Sequence, residues 1–568
     1  MESSGKIIYL LRKHPLLRLF TLFLIIGFIL GTVYAVNYKI KPVPFISSIE
    51  PSVGSPGDVI IINGNNFGKV RGMNYVEIAG SKLTASSYIS WSDDCIKIVL
   101  PANVQGGLLY VGTKSLKSKP ALFANEVDIP VPVQTVKQVT KPFIRYLSAD
   151  KVNVGDELTI YGNNFGEAKN QSKVYFTANY DGKVEEDDIK ALNTLTENMV
   201  CANEDDFDYT FWSDTEIKVR VPDGAYTGVV IVDTGTEKSV PKNIAVNTER
   251  GRKDFINKKI YLLEYSADIA DVVTSSVSTI TLRCPVPFTT AYQPEVEITE
   301  IVPSPILQNY QNDIIHQVTR QKNNTSKSAF KQTFVLPVYE VRTYVKAERI
   351  GNYADTEPNL LMYALRSDEL IPVNDALKNL AAKITGKEKN PYRKAKLIYD
   401  YMFENFKLLN NLRKSDSDPL DLLKKNTGDA YDFSIIFTAL LRAAEIPALA
   451  DAGIIVNQDL TTRVHWWSEF YIDKFGWVPV DIALACSLDE KPWPDIDTEN
   501  MREYYFGNID SHHIIFSRGL NSLKPFSADS KIVQRPRSFA FQTIWEEASD
   551  STSKYSSFWS VPVIKGVY

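Results

Sequence analysis

The stretch TGDAYDFSIIFTALLRAAEIPAL, Thr427–Leu449, decides the fold of the last third of the chain. Phe433, Ile436, Phe437, Leu440, Leu441 and Ala444 recur at helical spacing and form an apolar stripe, which predicts a helix buried in a core. Its N-terminus falls at the GDA segment. There Asp429 reads as an N-cap and Asp432 as a first-turn charge near the positive end of the helix dipole. A second helix is predicted upstream in NPYRKAKLIYDYMFENFKL, where Asn390-Pro391 is a cap and first-turn pair. Ala395, Ile398, Tyr399, Met402 and Phe406 share one face of it.

Downstream, two strand-like segments follow in order, RVHWWSEFYI from Arg463 and GWVPVDIA from Gly476. Together with GDAYDFS and FTALLRAAEIPAL they resemble the transglutaminase-like core of the papain-type superfamily, over about Asn374–Gly519. The resemblance implies an α+β domain with a catalytic triad: a cysteine at the helix start, a histidine in the second segment and an aspartate in the third. On this chain the histidine falls on His465 and the aspartate on Asp481, while the cysteine position is occupied by Ala430. A thiolate is favoured at a helix N-terminus, and a His–Asp pair would move its proton during acyl transfer from an amide. A methyl group cannot attack a carbonyl. Nearby alternatives are Ser434, Thr427 and Cys486, none placed by the sequence where His465 should be. The family's Gly-Ile-Pro-Ala-Arg turn reads Glu445-Ile446-Pro447-Ala448-Leu449 here, lacking both the glycine and the arginine.

Two readings of function follow. One is a catalytically inactive binding or scaffolding protein, in which His465 and Asp481 join two strands and Trp466, Trp467 and Trp477 belong to the core. The other is a cysteine amidase, protease or transglutaminase seen as an inactivated variant or using another nucleophile. In the first reading Glu469 is a strand-end charge.

The N-terminal half is organised by a repeat. PFISSIEPSVGSPGDVIIINGNNFG, Pro44–Gly68, realigns without a gap on PFIRYLSADKVNVGDELTIYGNNFG, Pro142–Gly166. WSDDCIKIVLP from Trp91 likewise matches WSDTEIKVRVP from Trp212, so the second copy carries an insertion at about Asn170–Thr210, read as a surface loop or added hairpin. Alternating runs predict strands, and Gly-Asn-Asn-Phe-Gly a tight turn pinned to the core by Phe67 or Phe165. The pattern resembles the IPT/TIG family of immunoglobulin-like domains, which implies two β-sandwiches. A third β-rich region over 255–372 shows alternating strands and no visible chemistry.

The whole chain of 568 residues reads as multidomain: two all-β immunoglobulin-like sandwiches (43–135 and 141–247), an all-β domain (255–372), the α+β transglutaminase-like domain (373–535) and a C-terminal extension (536–568). Leu19–Val36 is an uncharged apolar run preceded by Lys6, Arg12, Lys13 and Arg18, so residues 15–37 are predicted as a transmembrane anchor, with 1–14 cytoplasmic and the bulk extracytoplasmic. A signal peptide cleaved after Ala35 is the alternative. The 63 basic and 68 acidic residues give a net charge of −5, which offers no general attraction to nucleic acid. Partners are expected to be a protein, peptide or cell-wall glycan. Four scattered cysteines and five histidines form neither CxxC nor HExxH patterns, so no cofactor and no protein-built metal centre is expected.

Overall fold

The structure, a computed structural model, describes residues 13–39, 43–101, 104–114, 116–125, 141–180, 198–322, 326–486, 493 and 500–568. Residues 1–12 of the expected cytoplasmic segment, 126–135 of the first sandwich and 181–197 of the insertion lie outside these. The chain divides into two compact units, residues 1–137 and 138–568.

In the first unit, Pro15–Lys39 forms helix α1. Among the described residues no helix is long and apolar enough to cross a membrane. The transmembrane element of the expected architecture is therefore unsupported, although a helix occupies its position. Residues 43–125 form a sandwich of two sheets. One sheet orders Phe45–Glu50, Val59–Asn65, Cys95–Val99 and Tyr88–Trp91; the other contains Gly107–Gly112 at its centre.

The second unit opens with the same sandwich. Phe143–Leu147, Glu157–Asn163, Glu216–Arg220 and Tyr209–Trp212 repeat the first sheet in the same order. The shared Gly-Asn-Asn-Phe-Gly motif explains itself in both copies. A side chain at Gly64 or Gly162 would collide with the carbonyl of Phe45 or Phe143 and with the ring of Phe67 or Phe165. Asn66 and Asn164 are left-handed at φ 64°, a conformation asparagine tolerates. Phe67 and Phe165 are fully buried, and the indole N–H groups of Trp91 and Trp212 donate to the carbonyls of the turn. The insertion differs from a plain surface loop: Met199–Cys201 adds an edge strand beside Lys173–Ala178, and Asp208 is buried.

The β-rich domain is built on three long strands, β1 (Gly251–Thr274), β2 (Ser278–Pro285) and β3 (Ser328–Val345). β1 and β3 pair antiparallel along most of their length. Thr552–Trp559 and Val563–Val567 pair with β1, while Glu546–Ala548 pairs with β2. The segment 536–568 is therefore no appendage. It supplies strands to both sheets of a domain that starts almost 300 residues earlier.

Between these parts lies the α+β domain. Helices α2 (Asp375–Thr385) and α3 (Pro391–Asn405) are capped by the side chains of Asn374 and Asn390. α3 buries Ala395, Ile398, Tyr399 and Met402, the face expected from the sequence. Helix α4 (Ala430–Ala443) is buried on all sides, because helices cover one side and a sheet the other. That sheet orders β6 (Gly476–Val480), β5 (Thr462–Ile472), β4 (Ala448–Val456) and β7 (His513–Arg518), all antiparallel.

The turn between α4 and β4 carries the cost of the missing glycine. Glu445 sits at φ 63°, in the left-handed region, and its side chain is exposed. A non-glycine residue pays about 1 kcal/mol or more there. Glu445→Gly is expected to raise unfolding free energy by about 1 kcal/mol in a denaturant titration, without loss of any buried contact.

Candidate functional site

The site begins at the start of α4. The Asp429 carboxylate accepts the backbone N–H of Asp432 at 3.1 Å and the Asp432 carboxylate accepts that of Asp429 at 3.1 Å, a reciprocal capping box. Both carboxylates are buried and would be costly without cations. Arg537 donates Nη1 to the two oxygens of Asp429 at 2.6 and 2.8 Å and Nη2 to Asp432 at 2.7 Å. Arg413 donates Nη1 to Asp432 at 2.7 Å and its backbone N–H to Asp429 at 2.7 Å. Burial, and then the neighbouring Asp429, push the Asp432 carboxyl up against the pull of these arginines.

α4 runs alongside β5 in the same direction. Arg442 donates to the carbonyl of Ala448, the residue paired with Phe470, at 2.9 Å. Thr438 donates to Ser468 at 3.0 Å, the Ser434 hydroxyl donates to the Trp467 carbonyl, and Tyr431 meets Trp466 edge-on at 5.3 Å. Ala430 lies one turn before Ser434, at the first position of α4. Trp466, Ser468 and Phe470 face α4, whereas His465 alternates to the other side with Trp467. At that point the edge of β5 is no longer paired with β6, whose ladder runs only from Ser468 to Ile472.

His465 and Asp481 are joined, with Nε2 of the ring 2.5 Å from Oδ2 of the carboxylate. The same oxygen lies 3.0 Å from Nε2 of His513, and Nδ1 of His513 lies 2.9 Å from Oδ1 of Asp510. Tyr505 donates its hydroxyl to Asp510 at 2.8 Å, and the backbone N–H of Leu484 donates to Asp481 at 2.9 Å. His465, Asp481, His513 and Asp510 are all buried. A carboxylate only accepts, so Nε2 of His465 carries the hydrogen and Nδ1 is left bare, with no hydrogen-bond partner among the described residues.

Electrostatics divides the two histidines. Burial pushes His465 below its ordinary value, and the pull of Asp481 does not restore it. Burial also opposes charge on His513, but Asp510 and Asp481 outweigh it and hold that ring at about 9. At neutral pH His513 is an imidazolium clasped by two carboxylates, and His465 is neutral. Burial would raise both Asp481 and Asp510, yet the imidazoles, His465 foremost for Asp481 and His513 for Asp510, keep them below the usual carboxylate range.

Sequence reasoning missed His513 and Asp510 as partners of the expected pair. The adjacent His512 turns the other way, to the Tyr261 hydroxyl at 2.9 Å. The ligand-type atoms of His465, Asp481 and His513 lie within 4.8 Å of one another, a spacing that could hold a metal ion. No metal motif signals it, because the three come from β5, the turn after β6 and β7. The hydrogen bonds above already account for the facing atoms. Glu469 is a second correction. It is a buried mid-strand acid rather than a strand-end charge, held by Arg518 at 2.5 Å. Leu449 stands directly across from Glu469, and the cation beside that acid comes from Arg518 on β7.

Two family models match the chain: the transglutaminase-like superfamily over residues 378–482 and the IPT/TIG domain over residues 44–118. Residues 378–482 are a transglutaminase-like domain. Among curated proteins the chain is similar to an uncharacterized protein of Haemophilus influenzae, 29% identical over 227 residues, covering 34% of this chain and 61% of that protein. It is also similar to a cyclomaltodextrin glucanotransferase of Paenibacillus macerans, 31% identical over 100 residues, covering 18% of this chain and 13% of that enzyme. The chain thus spans less than two thirds of either relative. Among solved structures, a cysteine protease candidate from Cytophaga hutchinsonii is 14% identical with a TM-score of 0.35, covering 56% of this chain and 91% of that one. The periplasmic domain of TgpA from Pseudomonas aeruginosa is 12% identical with a TM-score of 0.23, covering 40% and 88%.

Two measurements probe the transglutaminase-like domain. Arg537→Met strands the buried Asp429 carboxylate at the start of α4, leaving Asp432 to Arg413 alone, and is expected to cost about 3–5 kcal/mol of unfolding free energy by denaturant titration. The pH dependence has two legs. His513 is raised above its unfolded value of 6.5, so its contribution is complete below that pH and is lost as pH rises through about 9. His465, depressed by burial, removes stability as pH falls below 6.5, and Asp481 and Asp510 add further loss below about 4. Thermal midpoints are expected to peak between those legs, with the alkaline leg absent in His513→Gln.

Proposed function

We propose that this chain is a transglutaminase-like binding or scaffolding protein that has given up acyl transfer and works outside the cytoplasm. The observation that carries this reading is Ala430 at the first position of α4, behind the Asp429–Asp432 capping box, where the resemblance places a cysteine. A thiol there would meet the positive end of the helix dipole; the methyl group has no chemistry to offer.

The other nucleophiles are poor substitutes. Burial pushes the Cys486 thiol up to about 12, with Asp481 adding to the shift, so it is not a thiolate at neutral pH. Burial likewise raises Cys201 to about 11 and Cys284 well above its usual value. The Ser434 hydroxyl is spent on the Trp467 carbonyl. His465, sealed from solvent and hydrogen-bonded to Asp481, then serves to tie β5 to the turn after β6.

Attachment to a membrane belongs to the same proposal. It is supported by the exposed apolar side chains of α1, such as Leu22, Phe23 and Phe28, and by the basic residues before them.

The test compares the unaltered protein with Ala430→Cys in assays of ammonia release and amine incorporation on a glutaminyl peptide, with fractionation of chains beginning at residues 1 and 38. The unaltered protein is expected to be inactive and its membrane association to depend on residues 1–37. Turnover by the unaltered protein that disappears in His465→Ala overturns the inactive reading.

A further inference from the structure

The second sandwich, the β-rich domain and the transglutaminase-like domain line an open cavity of about 680 Å³. Neither Ala430, His465 nor Asp481 lines it. Its size is that of small-molecule and short-oligomer sites.

One wall is aromatic. Phe207, from the insertion of the second sandwich, and Tyr363 meet edge-on at 6.1 Å and are both half-buried, and Phe516 and Phe541 lie deeper. Another wall is a hairpin turn whose residues Asn309 and Gln311 are exposed at φ 57° and 52°. At the base of that hairpin sits Asp313, 1% exposed, with both carboxyl oxygens lacking a hydrogen-bond partner among the described residues. A buried carboxyl without a partner is an unusual and costly feature, which a ligand donating and accepting hydrogen bonds would relieve.

Charge at this cavity is largely cancelled. Arg518 is bound to Glu469 at 2.5 Å and Asp206 at 3.1 Å, and Glu204 pairs with Lys169 at 2.5 Å. Burial raises Asp313 well above the usual carboxylate range, with Arg283 opposing, while Asp205 on the lining is exposed. The polar groups offered to a ligand include side-chain amides, which donate and accept, and the unpartnered Asp313 carboxyl. The apolar groups are ring faces and edges.

We propose that this cavity binds a short neutral oligosaccharide, its C–H faces against the Phe207–Tyr363 pair and its hydroxyls on Asp313 and the Asn309–Gln311 turn. Hydroxyls donate and accept at one atom, as these groups require, and sugar rings present flat apolar faces to aromatic walls. This rests on reading the chain as a binding protein and names its ligand class.

The test is calorimetric titration of the full chain with maltotriose, cellotriose and chitotriose, with N-acetyl-triglycine amide as the peptide control. At least one trisaccharide is expected to bind with a dissociation constant below about 1 mM. Asp313→Ala and Tyr363→Ala are expected to weaken it by about tenfold or more. Asp313→Asn, which still donates and accepts, retains binding. Gln311→Gly keeps the left-handed backbone at an exposed position and separates lost contact from lost fold; it is expected to weaken binding at an unchanged thermal midpoint. Binding of none of the trisaccharides overturns the proposal, as does affinity unaltered in all these variants or preferential binding of the peptide. These outcomes leave the inactive reading of Ala430 untouched, because the amidase assay decides that separately.

Discussion

Two buried carboxylates at one helix start set the terms for the last third of this protein. Asp429 and Asp432 cap α4 by accepting each other's backbone N–H groups, and their charges are tolerable only because two guanidinium groups reach them. Arg413 comes from the loop before the helix and Arg537 from more than 100 residues after it. One local requirement, satisfying a helix N-terminus inside a core, therefore fixes the path of two distant segments. It also holds Ala430 at the first position of a well-capped helix.

The buried polar chain on the far side of β5 follows the same logic. His465, Asp481, His513 and Asp510 alternate base and acid, so each acid faces an imidazole and each imidazole an acid. Such a network is stable when every group has a partner, and the bare Nδ1 of His465 is its one open valence. Around it, the second sandwich is tied to the transglutaminase-like domain by ionic contacts. Asp206 accepts from the Trp477 indole at 2.9 Å and from Arg518, and Lys253 bridges Asp223 to the carbonyl of Trp477. The inserted segment that looked like surface decoration thus carries a domain interface and one wall of a cavity.

Legibility varied with the range of the interaction. The helix starts at Asn390 and Asp429, the apolar face of α3 and the turn glycines Gly64 and Gly162 were readable because their causes lie within a few residues. The His465–Asp481 contact was expected only through the resemblance to the transglutaminase-like family. His513 and Asp510 were not, since β7 reaches the pair only across the sheet through β4. Glu469 was misread for a similar reason: its cation, Arg518, lies 49 residues away.

By itself the sequence determined the repeated sandwiches, the buried helix and the alanine at its start, because spacing, caps and turn residues are local physics written in consecutive letters. Only the tertiary structure decided that residues 531–567 complete the β-rich domain, that a second histidine shares Asp481, and that a cavity with an aromatic wall lies among three domains away from Ala430. Those features depend on which buried charges and open strand edges find partners after the chain has folded, and sequence spacing does not encode such pairings.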